Sequence, residues 1–211
     1  MPHGDAYDAK YYAMSRSGVG RKGLVDTLRD RYIRRHILRF KRGGRLLDIG
    51  CGLGLFLESM LPPFEGYGTD ISPYAVAAAQ RRLPQARLFV GSILDGLPFQ
   101  QTFDVISAIN VVEHLERPER AVQMIRAQLG PGGLFVAHLP TIGNPIQARL
   151  YRGSYDQDPT HIYRPAGRAF RAMAEDAGFK TVFETYSPFI LAPLWRALPF
   201  HPAYLVMFQA I

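Results

Sequence analysis

Short apolar runs alternate along this chain with longer segments in which apolar residues recur every three or four positions, the pattern of strands exchanged with amphipathic helices. The runs predict strands near residues 45–49, 66–70, 86–90, 103–108, 133–138, 180–186 and 204–210, and the periodic segments predict helices near 22–40, 53–60, 73–82, 118–129 and 165–177. Pro73, Pro118 and Pro165 fall at the expected first turns of three helices, where a missing N–H costs nothing. Val122, Ile125 and Leu129 line one face of the fourth helix; Phe170, Met173, Ala174 and Ala177 line one face of the last, before Gly178 stops it. Both stripes read as core. The alternation predicts an α/β fold: one domain with a doubly wound, seven-stranded, mostly parallel sheet and helices on both faces. Residues 1–21 and 140–164 follow neither period and are expected to be lids, with substrate entering between them.

The chemistry begins where the first strand ends. Leu46-Leu47-Asp48-Ile49-Gly50-Cys51-Gly52-Leu53-Gly54 runs from an apolar strand into a turn with glycine at every second position. Glycines let the chain turn sharply and bring bare backbone against a ligand. A dinucleotide fingerprint spaces them G-x-G-x-x-G and sets a pyrophosphate on the next helix. Here Asp48 at the mouth of the turn would repel a pyrophosphate but attract an ammonium or sulfonium group. Asp70, at the end of the second strand, is placed to accept hydrogen bonds from two ribose hydroxyls. The two carboxylates together suit a cationic ligand that carries a ribose.

These residues resemble the class I S-adenosylmethionine-dependent methyltransferases over roughly residues 40–186. Leu46–Gly54 is similar to the family's first motif, Gly68-Thr69-Asp70-Ile71-Ser72 to its ribose-binding segment and Val90-Gly91-Ser92-Ile93 to its adenine-binding segment. Phe103-Asp104-Val105-Ile106, Asn110–Leu115 and Leu129-Gly130-Pro131-Gly132-Gly133 follow in the family's order. The resemblance implies a Rossmann-like sheet and S-adenosylmethionine as cofactor, with S-adenosylhomocysteine as product. It implies that Asp48, Gly50, Gly52 and Gly54 hold the amino acid end, Asp70 and Ile71 the ribose, Ser92 and Ile93 the adenine, and Asn110 the methionine portion. Where relatives carry an acid in the adenine segment this chain has Ser92, so Ser92 itself, Asp95 or main chain could take that role. It also divides the chain into an N-terminal lid and basic amphipathic helix, 1–44, and a methyltransferase domain, 45–211, with an acceptor-side loop at 140–164.

Composition and charge narrow the setting. A chain of 211 residues with 47% hydrophobic content can bury one sizeable core. No apolar run approaches the ~18 residues of a membrane helix, and no charged-then-apolar leader opens the chain, so a cytoplasmic protein is expected. Cys51, the lone cysteine, excludes an internal disulfide and a four-cysteine zinc site, and reads as a small buried residue beneath the turn. The net charge of +7 is all N-terminal: residues 1–45 hold twelve Lys or Arg against four Asp or Glu. It is densest between Arg29 and Arg45, on and just after the first predicted helix, whose apolar stripe would be Leu24, Leu28, Tyr32, Ile33, Ile37 and Phe40. The plain account is a solvated basic face. Nucleic acid is not the expected partner, whereas peripheral membrane contact through this helix, or through the apolar stretch 187–208, is the alternative use. Nothing in the pattern indicates an oligomeric state.

The reaction implied is methyl transfer to a small-molecule acceptor by in-line displacement, which needs alignment and exclusion of water but no covalent residue. Glu113-His114 resembles a pair in quinone-biosynthesis O-methyltransferases, some of which bind a divalent metal through Glu-x-x-Glu-His. Asn110 replaces the first of those carboxylates, so a metal is allowed but not expected, and none is assigned. The resemblance favours an oxygen acceptor. His114 and His161 are the candidate catalytic bases, against structural roles for each, with Thr160 or His161 ordering its own loop. Tyr11 and Tyr12 either close over the cofactor or pack. Two other functions stay open: a methyltransferase-like module that binds RNA or protein without turnover, and a nicotinamide-dependent oxidoreductase, the latter opposed by Asp48 and by the glycine spacing.

Overall fold

The computed structural model describes residues 23–186 and 199–211. Tyr11, Tyr12, the expected lid at 1–21 and residues 187–198 of the apolar C-terminal stretch lie outside the described residues. The elements in chain order are α1 (Leu24–Phe40), β1 (Gly44–Ile49), α2 (Leu55–Met60), β2 (Phe64–Asp70), α3 (Pro73–Arg82), β3 (Arg87–Val90), β4 (Phe103–Ile109), α4 (Pro118–Gln128), β5 (Leu129–Pro140), α5 (Pro145–Ser154), α6 (Gly167–Asp176), β6 (Phe179–Tyr186) and β7 (Ala203–Ala210). Single 3₁₀ turns at Ile93–Asp95 and Val112–His114 follow β3 and β4.

The seven strands form one sheet in the order β3-β2-β1-β4-β5-β7-β6. Strands β1 to β5 pair in parallel; β7 inserts antiparallel between β5 and β6. The winding reverses between β1 and β4, and the loops leaving these two strands part at the carboxyl edge, opening the crevice where ligands of such sheets bind. Side chains alternate between two covered faces. Leu47, Ile106, Phe135 and Phe208 pack with Val122 and Ile125 of α4 and Phe170 and Ala174 of α6. Leu46, Val105, Val136 and Met207 pack on the other face with Ile33 and Ile37 of α1 and Phe56 and Leu57 of α2. Each such side chain contributes about 1.5–3 kcal/mol on burial. Among the described residues no helix is long and apolar enough to cross a membrane.

Three expectations are corrected. The segment 140–164 is not all irregular: it contains α5, which starts because the Asn144 side chain accepts a hydrogen bond from Gln147 N (2.9 Å) and Pro145 sits at the first turn. Pro165 does not begin the last helix, which starts at Gly167; instead its carbonyl accepts from Ile142 N and ties the loop after β5 to the approach of α6. The stripe on α1 is also different. Leu24 is 76% and Phe40 40% exposed, while Asp30 and His36 are buried beside Ile33 and Ile37. Asp30 pairs with Arg29 at 2.9 Å, and His36 Nδ1–H donates to Tyr32 O while its ring lies 4.4 Å from that of Phe183. Arg31, Arg35 and Arg39 of α1 are exposed, as a solvated basic face requires.

Candidate active site

Gly50, Gly52 and Gly54, in the turn after β1, all adopt positive φ (66°, 52° and 76°), a region that costs any L side chain about 1–2 kcal/mol. A Cβ on Gly50 would stand 2.4 Å from Cγ2 of Val111, and one on Gly54 would stand 3.1 Å from Ala79 of α3. The turn is thus held bare and tight between the loop after β4 and α3. Asp70 ties it to β2: Gly52 N–H donates to one carboxylate oxygen (2.8 Å) and Ser72 N–H to the other (2.9 Å). Burial raises the Asp70 pKa, and these two hydrogen bonds oppose the shift. Asp48 is buried on β1, where the parallel register sets Ser107 of β4 beside it, and Ser107 Oγ–H donates to its Oδ1 at 2.7 Å. Cys51 is buried beneath the turn, and desolvation together with Asp48 and Asp70 keeps its thiol protonated.

Across the crevice, Asn110 follows β4 with φ +57°, the only non-glycine residue with positive φ among the described residues. Such outliers cluster at ligand sites, and Asn tolerates them better than other side chains. His138 of β5, which the sequence reading missed, fixes this conformation. Its carbonyl accepts from Asn110 N (2.8 Å) and its Nδ1–H donates to Asn110 Oδ1 (2.7 Å). His138 is buried and its pKa lies well below the usual imidazole value, first through desolvation and then through Arg29 and His201. No period could reveal it, because it sits in an apolar run and its partner is a turn residue of another strand.

The 3₁₀ turn that follows carries Glu113 and His114 against the loop after α5. Ile162 N–H and Tyr163 N–H both donate to the Glu113 carbonyl (2.9 Å each), docking the His161 segment onto the turn. The rings of His114 and His161 meet edge to face at 4.8 Å. His114 Nδ1–H donates to Thr160 O (3.1 Å), with Thr160 Oγ1 at 2.9 Å; Thr160 in turn donates to Asp158. His161 Nδ1 lies 3.3 Å from the hydroxyl of the buried Tyr151. Desolvation, and secondly the charge of His161, lowers the His114 pKa to about 4, and desolvation lowers that of His161. Both rings are therefore neutral near neutral pH. Glu113 has no exposed surface, neither carboxylate oxygen has a hydrogen-bond partner, and burial raises its pKa to about 8.

Comparison with known proteins settles the family. Residues 25–184 match the family described as a methyltransferase domain. The chain belongs to the class I S-adenosylmethionine-dependent methyltransferases. It is 32% identical over 130 residues to trans-aconitate 2-methyltransferase of Variovorax paradoxus, a match that covers 60% of this chain and 49% of that protein. It is also 32% identical over 115 residues to the mitochondrial ubiquinone biosynthesis O-methyltransferase of Schizosaccharomyces pombe, covering 51% and 41%. The matches thus span about half or less of these curated relatives. A S-adenosylmethionine-dependent methyltransferase from Clostridium acetobutylicum shares the fold at a TM-score of 0.71, with 12% identity and 98% of each chain covered.

The residues of this methyltransferase domain fit S-adenosylmethionine. Each Asp70 oxygen takes one backbone N–H and keeps a second lone pair, so the carboxylate can still accept from two neighbouring hydroxyls. The bare turn at Gly50 and Gly52 lies at the carboxyl end of the strand that carries Asp48. Ser92 Oγ accepts from Leu94 N (3.1 Å) and caps the 3₁₀ turn, while the Ile93 side chain is in the core. Asp95 is exposed. The structure brings Asp48, Gly50, Gly52, Asp70 and Asn110 to one crevice and His114 with His161 to the loops beside it. Thr160 N–H and Oγ1–H both donate to Asp158 within their own loop.

Proposed function

We propose that this protein transfers the methyl group of S-adenosylmethionine to an oxygen of a small-molecule acceptor. The observation that carries this reading is a neutral histidine pair, half-buried His114 at the end of segment 110–114 against buried His161 of the loop after α5, where that segment begins on the cofactor crevice and its Val111 walls the glycine turn. S-adenosylmethionine supplies a methyl carbon already activated by the positive charge of its sulfonium. Asp48 and the backbone of Gly50 and Gly52 would hold its amino acid end, Asp70 and the backbone of Ile71 its ribose, the Ser92–Ile93 segment its adenine, and Asn110 its methionine portion.

The acceptor side is read from what the histidines can do. A carbonyl only accepts, so the hydrogen bond to Thr160 O places the His114 proton on Nδ1 and leaves Nε2 as a proton acceptor. A weak base suffices, because a hydroxyl becomes strongly acidic only as its bond to the methyl carbon forms. Tyr151, buried against His161, and the loop carrying Thr160 exclude water from this side. The two curated relatives are named for trans-aconitate and ubiquinone biosynthesis, in keeping with small acceptors.

The test is transfer of labelled methyl from S-adenosylmethionine to panels of phenols, carboxylic acids and amines, with S-adenosylhomocysteine binding measured in parallel. Labelled oxygen products are expected. Transfer confined to amines would overturn the oxygen assignment, and tight product binding with no transfer to any panel would favour the non-catalytic module.

A further inference from the structure

We propose that the outward face of α1 docks on an anionic phospholipid surface, an inference that goes beyond the reaction proposed above and does not depend on it. Opposite the buried Asp30, Ile33, His36 and Ile37, the helix turns Leu24, Leu28, Arg31, Arg35 and Arg39 to solvent. Steps of three or four residues keep these five on one stripe about 22 Å long.

The stripe is cationic without compensation. Among the described residues, no carboxylate pairs with Arg31, Arg35 or Arg39. The two acids of α1 are held elsewhere, since Asp26 and the buried Asp30 both pair with Arg29, at 3.0 and 2.9 Å. A merely solvated basic face needs no large aliphatic groups, yet Leu24, Val25 and Leu28 all stand exposed in its first two turns.

That combination selects the partner. Guanidinium groups meet lipid phosphates, while aliphatic side chains enter the boundary between headgroups and acyl chains. A nucleic acid offers phosphates but no apolar medium for the leucines, and the stripe has no aromatic or amide side chain to stack on a base or read its edge. The position of the leucines also suits a membrane. α1 ends at Phe40, just before β1 starts at the amino edge of the sheet, so its first turns point to the carboxyl edge where the crevice opens. Burial dominates the pKa shifts of Glu113 and His138, but the charge of Arg29 acts on both, as its place beside those loops requires. Docking through α1 would hold the mouth of the site beside the lipid.

The test is co-sedimentation of the full chain with phosphatidylcholine vesicles and with vesicles in which ~30% of the lipid is phosphatidylglycerol, beside titration of a fluorescent RNA oligonucleotide at the same salt. The protein should prefer the anionic vesicles at least ~10-fold. R31E/R35E/R39E should lose at least ~100-fold of that affinity, roughly fivefold or more for each charge removed. L24S/L28S should lose ~10-fold at the same salt, a loss that charge alone would not produce. S-adenosylhomocysteine affinity equal to that of the unaltered protein shows that both variants remain folded; should the glutamate variant fail that control, R31Q/R35Q/R39Q takes its place. Equal binding to neutral and anionic vesicles, binding to neither, or unaltered binding by either variant would overturn the docking face. RNA bound more tightly than the anionic vesicles, through the same arginines, would overturn it in favour of nucleic acid.

Discussion

Gly50→Ala probes the cofactor turn most directly. The substitution places a side chain at φ +66° and a methyl group 2.4 Å from Cγ2 of Val111. The backbone term is about 1–2 kcal/mol. The clash requires a displacement of about 1 Å to reach normal contact, and such overpacking costs roughly 1–3 kcal/mol. The sum is about 2–5 kcal/mol. In a Val111→Ala background Cγ2 is gone and the nearest remaining Val111 atom is Cβ at 3.4 Å, an ordinary contact. Only the backbone term should then remain, so the double variant should be about 1–3 kcal/mol more stable than the sum of the single effects predicts. Urea unfolding of the four proteins measures the coupling through midpoints and a common slope. Calorimetry with S-adenosylhomocysteine should show weaker binding for Gly50→Ala in either background. Strict additivity would refute Val111 as the wall of the turn, and with it the path from the cofactor crevice to the histidines.

Other predictions follow from the same geometry. Asp70→Ala should weaken S-adenosylhomocysteine binding by about 1–3 kcal/mol, roughly 5- to 150-fold, and an unchanged dissociation constant would remove Asp70 from the site. Because burial raises the Asp70 pKa, cofactor affinity should fall as pH drops through that raised value. Folding responds with the opposite sign: a carboxyl whose folded pKa exceeds its unfolded value favours the folded state most when protonated, and that contribution is lost as pH rises through the folded pKa. Titrating affinity and apo stability over the same pH series separates the two. Asn110→Ala should cost about 1 kcal/mol more in unfolding free energy than Asn110→Gly, since both lose the bond to His138 but only alanine resists φ +57°; equal losses would show that the backbone there relaxes freely. His114→Ala and His161→Ala should spare cofactor binding and reduce methyl transfer, and transfer left intact in both would dismiss them as acceptor-side groups.

What could be read from the chain was whatever local pattern controls. β4 and β5 appear as apolar runs because both faces of the sheet are covered, and the α3 start is legible because Ser72 accepts from Ala75 N and Pro73 takes the first turn. α5 escaped notice because its apolar residues mislead: Ile146 and Leu150 are 49% and 45% exposed, while the residues it buries are Gln147 and Tyr151. The Asn144-Pro145 pair was the available signal. α1 failed in a related way, burying Asp30 and His36 where the apolar stripe was drawn through Leu24 and Phe40.

The sequence by itself determined the strand–helix alternation, the glycine turn, and the two carboxylates at strand ends that suit a cationic nucleoside, because spacing along the chain sets backbone geometry directly. Tertiary structure alone decided that Ser107 holds Asp48, that His138 locks Asn110, and that His161 meets Glu113 and His114. Those contacts join residues that are neighbours only after strands have paired and loops have docked, and a buried polar group takes whatever partner the packed fold brings within about 3 Å.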